Sequence, residues 1–498
     1  MEDIYYINKK QEVAIFKTDS FLQYVDEAPY NPSDKYPEYP FSDSLINRNK
    51  GNIAYEGIRE TFHMLGYDKD NYGTSKWNPL ASIICENNKV VIKPNFVTHS
   101  NTNGSIYSVI TNPNIIRAVI DYVYIALKGT GQIIVADSPQ ADCNFDEILR
   151  VTELDSIVEL YKREKNYKIE IIDLRQLRFE YHDGVLDMES RILLDGDPMG
   201  YSIINLRNKS AFSDMDNPEK LYGADYNREE TILHHSKGNH EYCVSNTILS
   251  ADVIISIPKI KTHRKAGVTL NFKNMIGING NKNYLPHFKI GVPSKGGDEA
   301  PELEKGAQQV LNSNRLLMDK LLSKPNKVKV YIYKACYNLY HKLLRQFLIK
   351  KNQEGIDTSR LGNWYGNDTI WRTTWDLNYL TLYADVKGSI CLHEQRKLFT
   401  IIDGLLSGEN DGPLLPTDKK CGIIVTSDNF LSADIAVIRL MGFDYKKIPL
   451  YRNIVKSNNI KYADFCITNN SKIENLLRDE KKSLEFIPTQ GWKGHIEL

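Results

Sequence analysis

The side chains best equipped for chemistry lie between residues 258 and 277, a segment with four lysines, one arginine and one histidine among hydroxyls and amides. Clustered cations of this kind bind phosphate or carboxylate groups through charge-assisted hydrogen bonds. A desolvated lysine can also serve as a base or as an imine-forming amine. An exposed basic loop without a ligand has the same composition, so the segment alone leaves both interpretations open.

Two shorter motifs carry further polar groups, and each contains a proline. Lys93-Pro94-Asn95 and Asp137-Ser138-Pro139 both stand at the end of an apolar run. Proline restricts the backbone at such a point, so Lys93 and Asn95 are held in a fixed relation. Because proline also simply ends many strands, either motif alone is ambiguous.

Four apolar runs precede these polar groups and predict the elements that position them. The runs are residues 90–92, 133–136, 253–257 and 400–402. Continuous β-branched runs are typical of strands buried on both faces of a parallel sheet. Ligands of open α/β sheets bind beyond the carboxyl ends of the strands, so we expect the polar groups to form one site.

The first two runs belong to a predicted βαβ crossover between residues 89 and 139. Its helix is expected over Pro113–Leu127, with Thr111 or Asn112 as the N-cap and Gly129 at the end. Such crossovers are right-handed and bring the carboxyl ends of both strands to one edge of the sheet. Lys93 and Asp137 are therefore expected at the same edge.

From these positions we expect three residues, Asp137, Lys261 and His263, to be catalytic. Histidine is the side chain best matched to proton transfer at neutral pH, whereas the lysines would neutralise an anionic substrate. The residues expected to bind substrate at the strand ends are Lys93, Asn95, Ser138, Lys259, Thr262, Thr269, Asn271, Lys273 and Asn274.

A second polar group adds Asn363, Asn367, Arg372 and Asn378 as substrate-binding candidates. These side chains alternate with tryptophans, as on surfaces that stack a sugar or nucleotide and hydrogen-bond its hydroxyls. Asx-turns covered by aromatic packing have the same composition. The pattern does not separate the two.

Asp403, Glu409 and Asp411 offer the hard oxygen ligands that Mg²⁺ prefers, without the spacing of an EF-hand loop. Mg²⁺ is therefore a candidate cofactor, and the cofactor is otherwise unknown. The seven cysteines contain no C-x-x-C pair, so no iron–sulfur cluster is expected. Scattered, unpaired cysteines favour a reducing cytoplasm.

Charge and hydropathy narrow the class of partner. Lys+Arg and Asp+Glu both number 63, so no net positive field recruits nucleic acid. The N-terminal residues lack the basic and apolar regions of a secretion signal, and no run approaches the roughly 18 apolar residues of a membrane span. We expect a cytoplasmic protein with a small anionic substrate, and the oligomeric state stays open.

With 498 residues the chain can form one large core with insertions. We predict an α/β fold whose mostly parallel sheet has helices on both faces and is interrupted by a mixed insertion and a helical insertion. The predicted segments are an N-terminal extension (1–80), a first α/β core segment (81–300, with an insertion at about 150–250), a helical insertion (301–365) and a second α/β core segment (366–498).

In combination, the motifs resemble a bacterial and archaeal family named domain of unknown function 362. The resemblance rests on Lys93-Pro94-Asn95, Thr111-Asn112-Pro113, Asp137-Ser138-Pro139, residues 251–277, Asp403-Gly404 and Gly412-Pro413. Asn112 and Gln140 depart from the family's common Thr-His-Pro and Ser-Pro-Gly patterns. The resemblance implies an α/β domain without a settled activity. Many relatives also carry a ferredoxin-like cysteine cluster, which this chain lacks.

Three functional interpretations follow. The first is an enzyme acting on a phosphorylated or carboxylated metabolite, with sugar-linked and lipid-linked substrates both open. The second is a non-catalytic binding or adaptor module. The third, from a fainter similarity to nickel-dependent lactate racemases, is an isomerase whose cofactor lies between Lys261, His263 and Lys273. An enzyme would gather Lys93, Asp137 and His263 in a concave cleft, and an adaptor would spread them over a convex surface.

Residues 327–351 hold seven Lys or Arg and no acidic residue among many apolar ones. A helix there would align Ile332, Cys336, Leu339, Leu343, Phe347 and Lys350. A basic helix with such a stripe is typical of association with an anionic membrane surface, which would favour a lipid-linked substrate. A helix packed on the core with its lysines in water has the same pattern.

Overall fold

The computed structural model describes residues 11–19, 26–47, 51–182, 185–223, 228–303, 305–322, 327–349, 361–458, 461, 465–470, 472–479 and 482–498. The predicted α/β fold is confirmed, with a ten-stranded, mostly parallel sheet at its centre. The strands are β1 (Glu12–Lys17), β2 (Lys89–Pro94), β3 (Gln132–Asp137), β4 (Ile169–Asp173), β5 (Leu177–His182), β6 (Val185–Leu193), β7 (Tyr201–Asn205), β8 (Leu221–Tyr222), β9 (Glu241–Ser245), β10 (Val253–Ile257), β11 (Lys259–His263), β12 (Gly267–Thr269), β13 (Phe288–Lys289), β14 (Lys397–Asp411), β15 (Leu415–Ser427) and β16 (Cys466–Asn469).

Helices cover the sheet and connect its strands. They are α1 (Ile53–Met64), α2 (Pro113–Leu127), α3 (Phe145–Thr152), α4 (Leu154–Lys165), α5 (Arg228–His234), α6 (Asn246–Leu249), α7 (Asn271–Asn274), α8 (Lys305–Leu322), α9 (Lys327–Ile349), α10 (Ile370–Tyr383), α11 (Phe430–Met441), α12 (Pro449–Asn458) and α13 (Glu474–Arg478). No described helix is long and apolar enough to cross a membrane.

The strand order of the large sheet is β16-β1-β15-β14-β10-β2-β3-β4, and β11 pairs with both β12 and β14. The four apolar runs of the sequence form the adjacent strands β14, β10, β2 and β3, all parallel to one another. Their carboxyl ends therefore meet at one edge, as expected for a ligand site of an open sheet.

Alternate residues of these strands enter two separate hydrophobic cores, one on each face. Val90 and Ile92 pack with α1, α2 and α4, whereas Val91 packs with α10, α11 and α12. This period of two explains why the runs are apolar throughout. The prediction of helices on both faces is confirmed.

Helix α2 has the predicted bounds. The Asn112 side chain accepts a hydrogen bond from the Asn114 amide at 2.9 Å, and Pro113 occupies the first turn. Lys128 and Gly129 then adopt left-handed backbone conformations that end the helix. Both ends of α2 could be predicted from the sequence because the residues that cap and end it are adjacent to the helix.

Distant regions of the chain contribute strands to the same sheet. β1, within the first 80 residues, lies between β15 and β16, and β4 lies beside β3. The rest of the region around 150–250 contains the pairs β5–β6 and β7–β9, while β8 pairs with β13. The helical insertion consists of α8 and α9.

Candidate functional site

The proline motifs at the ends of β2 and β3 form a buried ion pair. The Lys93 ammonium donates to Asp137 Oδ1 at 2.7 Å, and Asp137 Oδ2 accepts from the Phe96 amide at 2.7 Å. Burial lowers the pKa of Lys93, and the Asp137 charge opposes that shift. The predicted placement of Lys93 and Asp137 at one sheet edge is confirmed.

Gly277 permits the close packing of α7 and its following turn on this pair. A Cβ atom at Gly277 would lie 2.1 Å from Asp137 Oδ1 and 2.6 Å from the Lys93 nitrogen. The Gly277 carbonyl also accepts a hydrogen bond from the Ser138 amide at 2.9 Å. A side chain here would push the 258–277 segment away from the strand ends.

Lys259 forms a second buried ion pair, with Asp403 on β14. Its ammonium lies 2.5 Å from Asp403 Oδ2, which also accepts from the Asn112 amide at 2.9 Å. Burial lowers the pKa of Lys259, against the effect of Asp403. This pair joins β11, β14 and the start of α2, so both of its charges are already neutralised.

Lys261 is as deeply buried as Lys259 but has no carboxylate partner among the described residues. Its ammonium donates to the Val109 carbonyl at 2.5 Å. Burial, followed by the charges of Lys259 and Lys273, lowers the pKa of Lys261 well below its usual value. Thr269 is paired with Lys261 across β11 and β12, and its buried hydroxyl has no partner within the described residues.

Three more lysines also form no salt bridge within the described residues, although their side chains are only partly buried. Lys273 forms no hydrogen bond with another described residue, and burial, then the Lys93 charge, lowers its pKa to about 8. Lys265 donates to the Leu361 carbonyl, and burial, then Arg264, lowers its pKa to about 7. Lys282 donates to the Ser138 carbonyl and hydroxyl at 2.8 Å each, and burial lowers its pKa to about 7.

We call Lys261, Lys265, Lys273 and Lys282 the lysine cluster. Within the described residues none of the four forms a salt bridge, in contrast to Lys93 and Lys259. The charge of Lys273 acts on Lys261 and Lys265, and Lys282 acts with Lys265 and Lys273 on His287, so the four share one electrostatic region. Carboxylates oppose the lowering without forming an ion pair: Asp137 acts on Lys261 and Lys282, and Asp298 and Glu299 act on Lys265. Lysines gathered without a direct ion pair favour binding of an anion.

His263 lies beside the cluster and is neutral in the absence of a ligand. Its Nδ1 accepts from the Lys265 and Ala266 amides at 3.1 and 3.2 Å, which leaves the ring proton on Nε2. Burial, then the charges of Lys273 and Lys261, lowers the pKa of His263 well below 6.5. The imidazole is thus a hydrogen-bond donor, and its predicted proton-transfer role requires an anion that offsets these cations.

A narrow pocket, partly open to solvent and with free space for about one water molecule, adjoins the cluster, and Lys265 and Lys273 form part of its wall. We call it the aromatic pocket. Its remaining lining residues are Ala266, Val268, Asn367, Ile370, Trp371, Thr374, Pro449, Leu450 and Tyr451. The start of α10, the start of α12 and the basic segment 258–277 therefore meet at this pocket. A ligand site assembled from distant parts of the sequence requires such a meeting point.

The remaining predicted substrate-binding residues divide between the site and its scaffold. Asn274 accepts from Lys93 and from Asn95, whose own Oδ1 is buried without a described partner. The Ser138 hydroxyl accepts from Lys282. Thr262 instead donates to the Asn410 carbonyl, and Asn271 hydrogen-bonds Asp434 and Thr400.

The 363–378 candidates serve mainly as scaffold. Asn367 lines the aromatic pocket, but its Oδ1 caps the start of α10 by accepting from the Thr369 and Ile370 amides. Arg372 pairs with Asp214 and Asp368, and Asn378 donates to the Phe272 and Thr374 carbonyls. Asn363 has a buried Oδ1 without a described partner and does not line the pocket.

The three candidate magnesium ligands lie along β14. Asp403 pairs with Lys259, Glu409 pairs with Lys419 at 3.3 Å, and Asp411 is exposed at the end of the strand. Across the described regions of the chain, no group of three or more His, Cys, Asp or Glu is placed to hold a metal ion. Magnesium binding stays a prediction of the sequence and takes no part in the proposed function.

Sequence reasoning missed several residues of the site. Lys265 and Lys282 were not selected, nor was His287, whose pKa falls to about 3 through burial and then the charges of Lys265 and Lys273. It also missed Asp434, which accepts hydrogen bonds from the Asn271 and Phe272 amides. Of these residues, only Lys265 could have been found from the sequence, because it lies inside the basic segment 258–277.

Comparison with known proteins places the chain in a family. A family model described as Domain of unknown function (DUF362) matches residues 90–188 and 207–439. The chain belongs to the DUF362 family. The resemblance drawn from its motifs is thereby confirmed, and the DUF362 match includes the whole lysine cluster but ends before Tyr451.

The solved structures that match include one of low identity. It is a crystal structure of a Thermotoga maritima protein from the Northeast Structural Genomics Consortium, 11% identical, with a TM-score of 0.27. The similarity covers 75% of this chain and 56% of that one, so the DUF362 chain spans little more than half of that protein. No curated protein matches the chain.

Proposed function

We propose that this DUF362 protein is an enzyme that binds a phosphorylated or carboxylated small molecule at the lysine cluster. One observation carries the proposal: the fully buried Lys261 and the partly buried Lys265, Lys273 and Lys282 form no salt bridge within the described residues. Burying an unpaired charge is costly, and an anion is the partner that offsets that cost. The unpartnered oxygens of Thr269 and Asn95 add hydrogen-bonding capacity nearby.

The proposed roles follow from pKa and position. Lys261 and Lys265 would neutralise the anion together with the His263 Nε2 donor. Lys273 and Lys282, with pKa values of about 8 and about 7, are close to the range in which a group can both give and take a proton. Asp137 would orient Lys93 and so support the site rather than react.

An adaptor function is the second candidate. It would require Lys93, Asp137 and His263 on an exposed convex surface, whereas all three are buried at the strand ends. Their burial favours a small ligand over a protein partner. A racemase-type cofactor would be a further anionic occupant of the same cations.

A thermal-shift panel of phosphorylated and carboxylated metabolites tests the proposal. Wild-type protein should be stabilised by at least one anion, and the double variant Lys261→Met/Lys273→Met should lose that response because both cations are replaced by isosteric apolar chains. Lys387→Ala, at an exposed lysine, is the control and should respond like wild type. Equal shifts in wild type and the double variant would place the anion elsewhere.

A further inference from the structure

Helix α8 belongs to the helical insertion, yet one of its side chains lies next to the lysine cluster. Arg315 is buried, and its Nη2 donates to Oε1 of the buried Glu299. We infer that Arg315 is a positioning residue of the anion site, which holds Glu299 and thereby keeps Lys265 available to an anion. The inference rests on the proposed function, because it takes the lysine cluster as the anion site. It extends that site to the helical insertion.

The backbone of Glu299 is bonded to the turn that holds Lys265. The Glu299 carbonyl accepts from the Gly362 amide at 2.8 Å, and the adjacent Leu361 carbonyl accepts from the Lys265 ammonium. Leu361 has a left-handed backbone conformation, with a φ of 60°. A leucine keeps such a conformation only where its surroundings fix it, and the bond to Glu299 is one of the contacts that do so. The position of Glu299 therefore affects the position of the Lys265 ammonium.

The ring of Phe288 contacts both cations. Its centre lies 5.1 Å from the Lys265 ammonium and 5.4 Å from the central guanidinium carbon of Arg315. The same guanidinium carbon lies 4.7 Å from the ring centre of Tyr222. All three distances are within the range of cation–π contacts. These contacts place Arg315, and with it Glu299, beside a member of the lysine cluster.

Charge links Glu299 to Lys265 as well. Burial, then the charge of Arg264, lowers the pKa of Lys265 to about 7. Asp298 and Glu299 oppose that shift. With Arg315 in place, the Glu299 carboxylate has its own counter-ion. Without Arg315, this buried negative charge would be unpaired and would repel an anion at Lys265.

The ion pair also connects the docking of α8 to the lysine cluster. Helices α8 and α9 share a small apolar cluster around Leu322 and Tyr333, which is separate from the two main hydrophobic cores. A shift of α8 away from the core would withdraw Arg315 from Glu299 and so weaken anion binding. Because such coupling is reciprocal, a bound anion would in turn favour the docked position of α8.

Calorimetric titration with sulfate tests the role of Arg315. Arg315→Met should raise the dissociation constant of sulfate about fivefold or more, since it leaves the Glu299 charge unpaired. Arg315→Lys keeps a cation beside Glu299 and should retain more of the affinity than Arg315→Met does. Arg315→Met/Glu299→Gln should recover most of the wild-type affinity, because the unpaired charge is gone while the backbone bonds of residue 299 remain. An affinity that stays low in this double variant would reduce Arg315 to a general stabilising contact and overturn the inference.

A matched ion pair on α1 provides the control. Arg59 pairs with the buried Glu38 at 2.7 Å and, like Arg315, lies over aromatic rings. Arg59→Met should lower the melting temperature and leave sulfate affinity unchanged. A loss of sulfate affinity in Arg59→Met as large as that in Arg315→Met would contradict a specific role for Arg315.

The same titrations separate this inference from the proposed function. Wild-type protein that binds no sulfate, or a Lys261→Met/Lys273→Met variant that binds it as tightly as wild type, would overturn the proposed function and the inference with it. Weakened binding in that lysine variant, together with wild-type affinity in Arg315→Met, would overturn the inference alone. Melting temperatures establish that each variant is folded under the conditions of the titration.

Discussion

At the scale of single residues, the site depends on which lysines already have a carboxylate. Lys93 and Lys259 are held by Asp137 and Asp403, so their charges serve the architecture of the strand ends. Lys273 has no such partner within the described chain and borders the aromatic pocket. Its charge is available to a ligand, and its lowered pKa makes the binding of that ligand sensitive to pH.

We predict that sulfate binds more weakly as the pH rises. Lys265, Lys273 and Lys282 have pKa values lowered to about 7, 8 and 7 and lose their protons over this range, whereas sulfate keeps its charge. Between pH 6 and pH 9.5 the dissociation constant of sulfate should rise about tenfold or more. For each lysine that must be protonated to bind sulfate, this constant rises tenfold per pH unit above the pKa of that lysine.

Calorimetry in buffers of different ionisation enthalpy supplies the check. Sulfate raises the pKa of the lysines it contacts, so its binding near pH 8 should take up protons. Lys273→Met should reduce that uptake and flatten the profile. A sulfate affinity independent of pH, without proton uptake, would show that these lysines do not hold the anion.

The residue types of the site were readable from the sequence, but their pairing was not. The proline motifs predicted the meeting of Lys93 and Asp137 because both stand at strand ends. Asp403 was expected as a metal ligand, yet it pairs with Lys259, since register between β11 and β14 decides which charges meet. Lys282 follows an irregular turn that gives no periodic signal.

At the scale of elements, the short helix α7 positions Lys273 and Asn274. A four-residue helix has little stability of its own, so it depends on tertiary contacts. Asp434 on α11 supplies them by accepting hydrogen bonds from the Asn271 amide at 3.0 Å and its side chain at 2.8 Å, and from the Phe272 amide at 3.2 Å. Asp434 is thus a positioning residue.

We predict that Asp434→Asn weakens sulfate binding by about tenfold and lowers the free energy of unfolding by about 1–3 kcal/mol, because one amide nitrogen would face backbone donors. Asp376→Asn is the matched control. Asp376 is equally buried, its pKa is likewise raised to about 7 by burial, and it accepts from the Ala211 amide and the Tyr242 hydroxyl. We expect Asp376→Asn to lower the free energy of unfolding without weakening sulfate binding. Similar losses of sulfate affinity in both variants would reduce Asp434 to a general stabilising role.

The hairpin of α8 and α9 presents an apolar surface. The predicted helix is present, and Val328, Tyr331 and Leu339 are 66%, 75% and 61% exposed along one side, while Tyr333 packs against Leu322. The side chains of Leu343 and Phe347, and all of Lys350, lie outside the described residues. Together with the seven basic residues of 327–351, the exposed stripe favours contact with an anionic bilayer.

We therefore predict that the protein sediments with anionic liposomes at low salt. Each basic residue near the surface contributes about 1 kcal/mol, and salt screens that contribution, so binding should fade as ionic strength rises. Tyr331→Ser/Leu339→Ser should reduce sedimentation, and Leu392→Ser, at another exposed leucine, should not. Equal, negligible sedimentation with anionic and neutral liposomes would leave α9 without a membrane role.

Elements with strong local signals were predicted well. Helix α2 carried its own cap, proline and stop, and the four central strands were apolar throughout. Helix α7 carried no comparable signal, because four residues show no period and its cap comes from Asp434, far away in sequence. Strands β14 and β15 also extend well beyond the apolar run at residues 400–402, because their backbone pairing continues where the side chains are polar.

At the scale of the whole molecule, the neutral net charge conceals a strongly uneven distribution. Lys+Arg and Asp+Glu balance over the chain, yet the lysine cluster concentrates positive charge at the ends of the central strands. The parallel sheet creates this concentration by bringing residues near 93, 137, 261 and 273 to one edge. Composition could not reveal it, since only the topology decides which charges become neighbours.

Anomalous diffraction from a crystal of this protein soaked in sodium tungstate would locate the anion site directly. Tungstate is a tetrahedral dianion and a strong scatterer, so it reports where the protein accepts an anion. We predict that the strongest peak lies among the ammonium nitrogens of the lysine cluster, and that sulfate in excess removes it. Tungstate bound at other sites, with no peak in the lysine cluster, would show that these lysines are not the anion site.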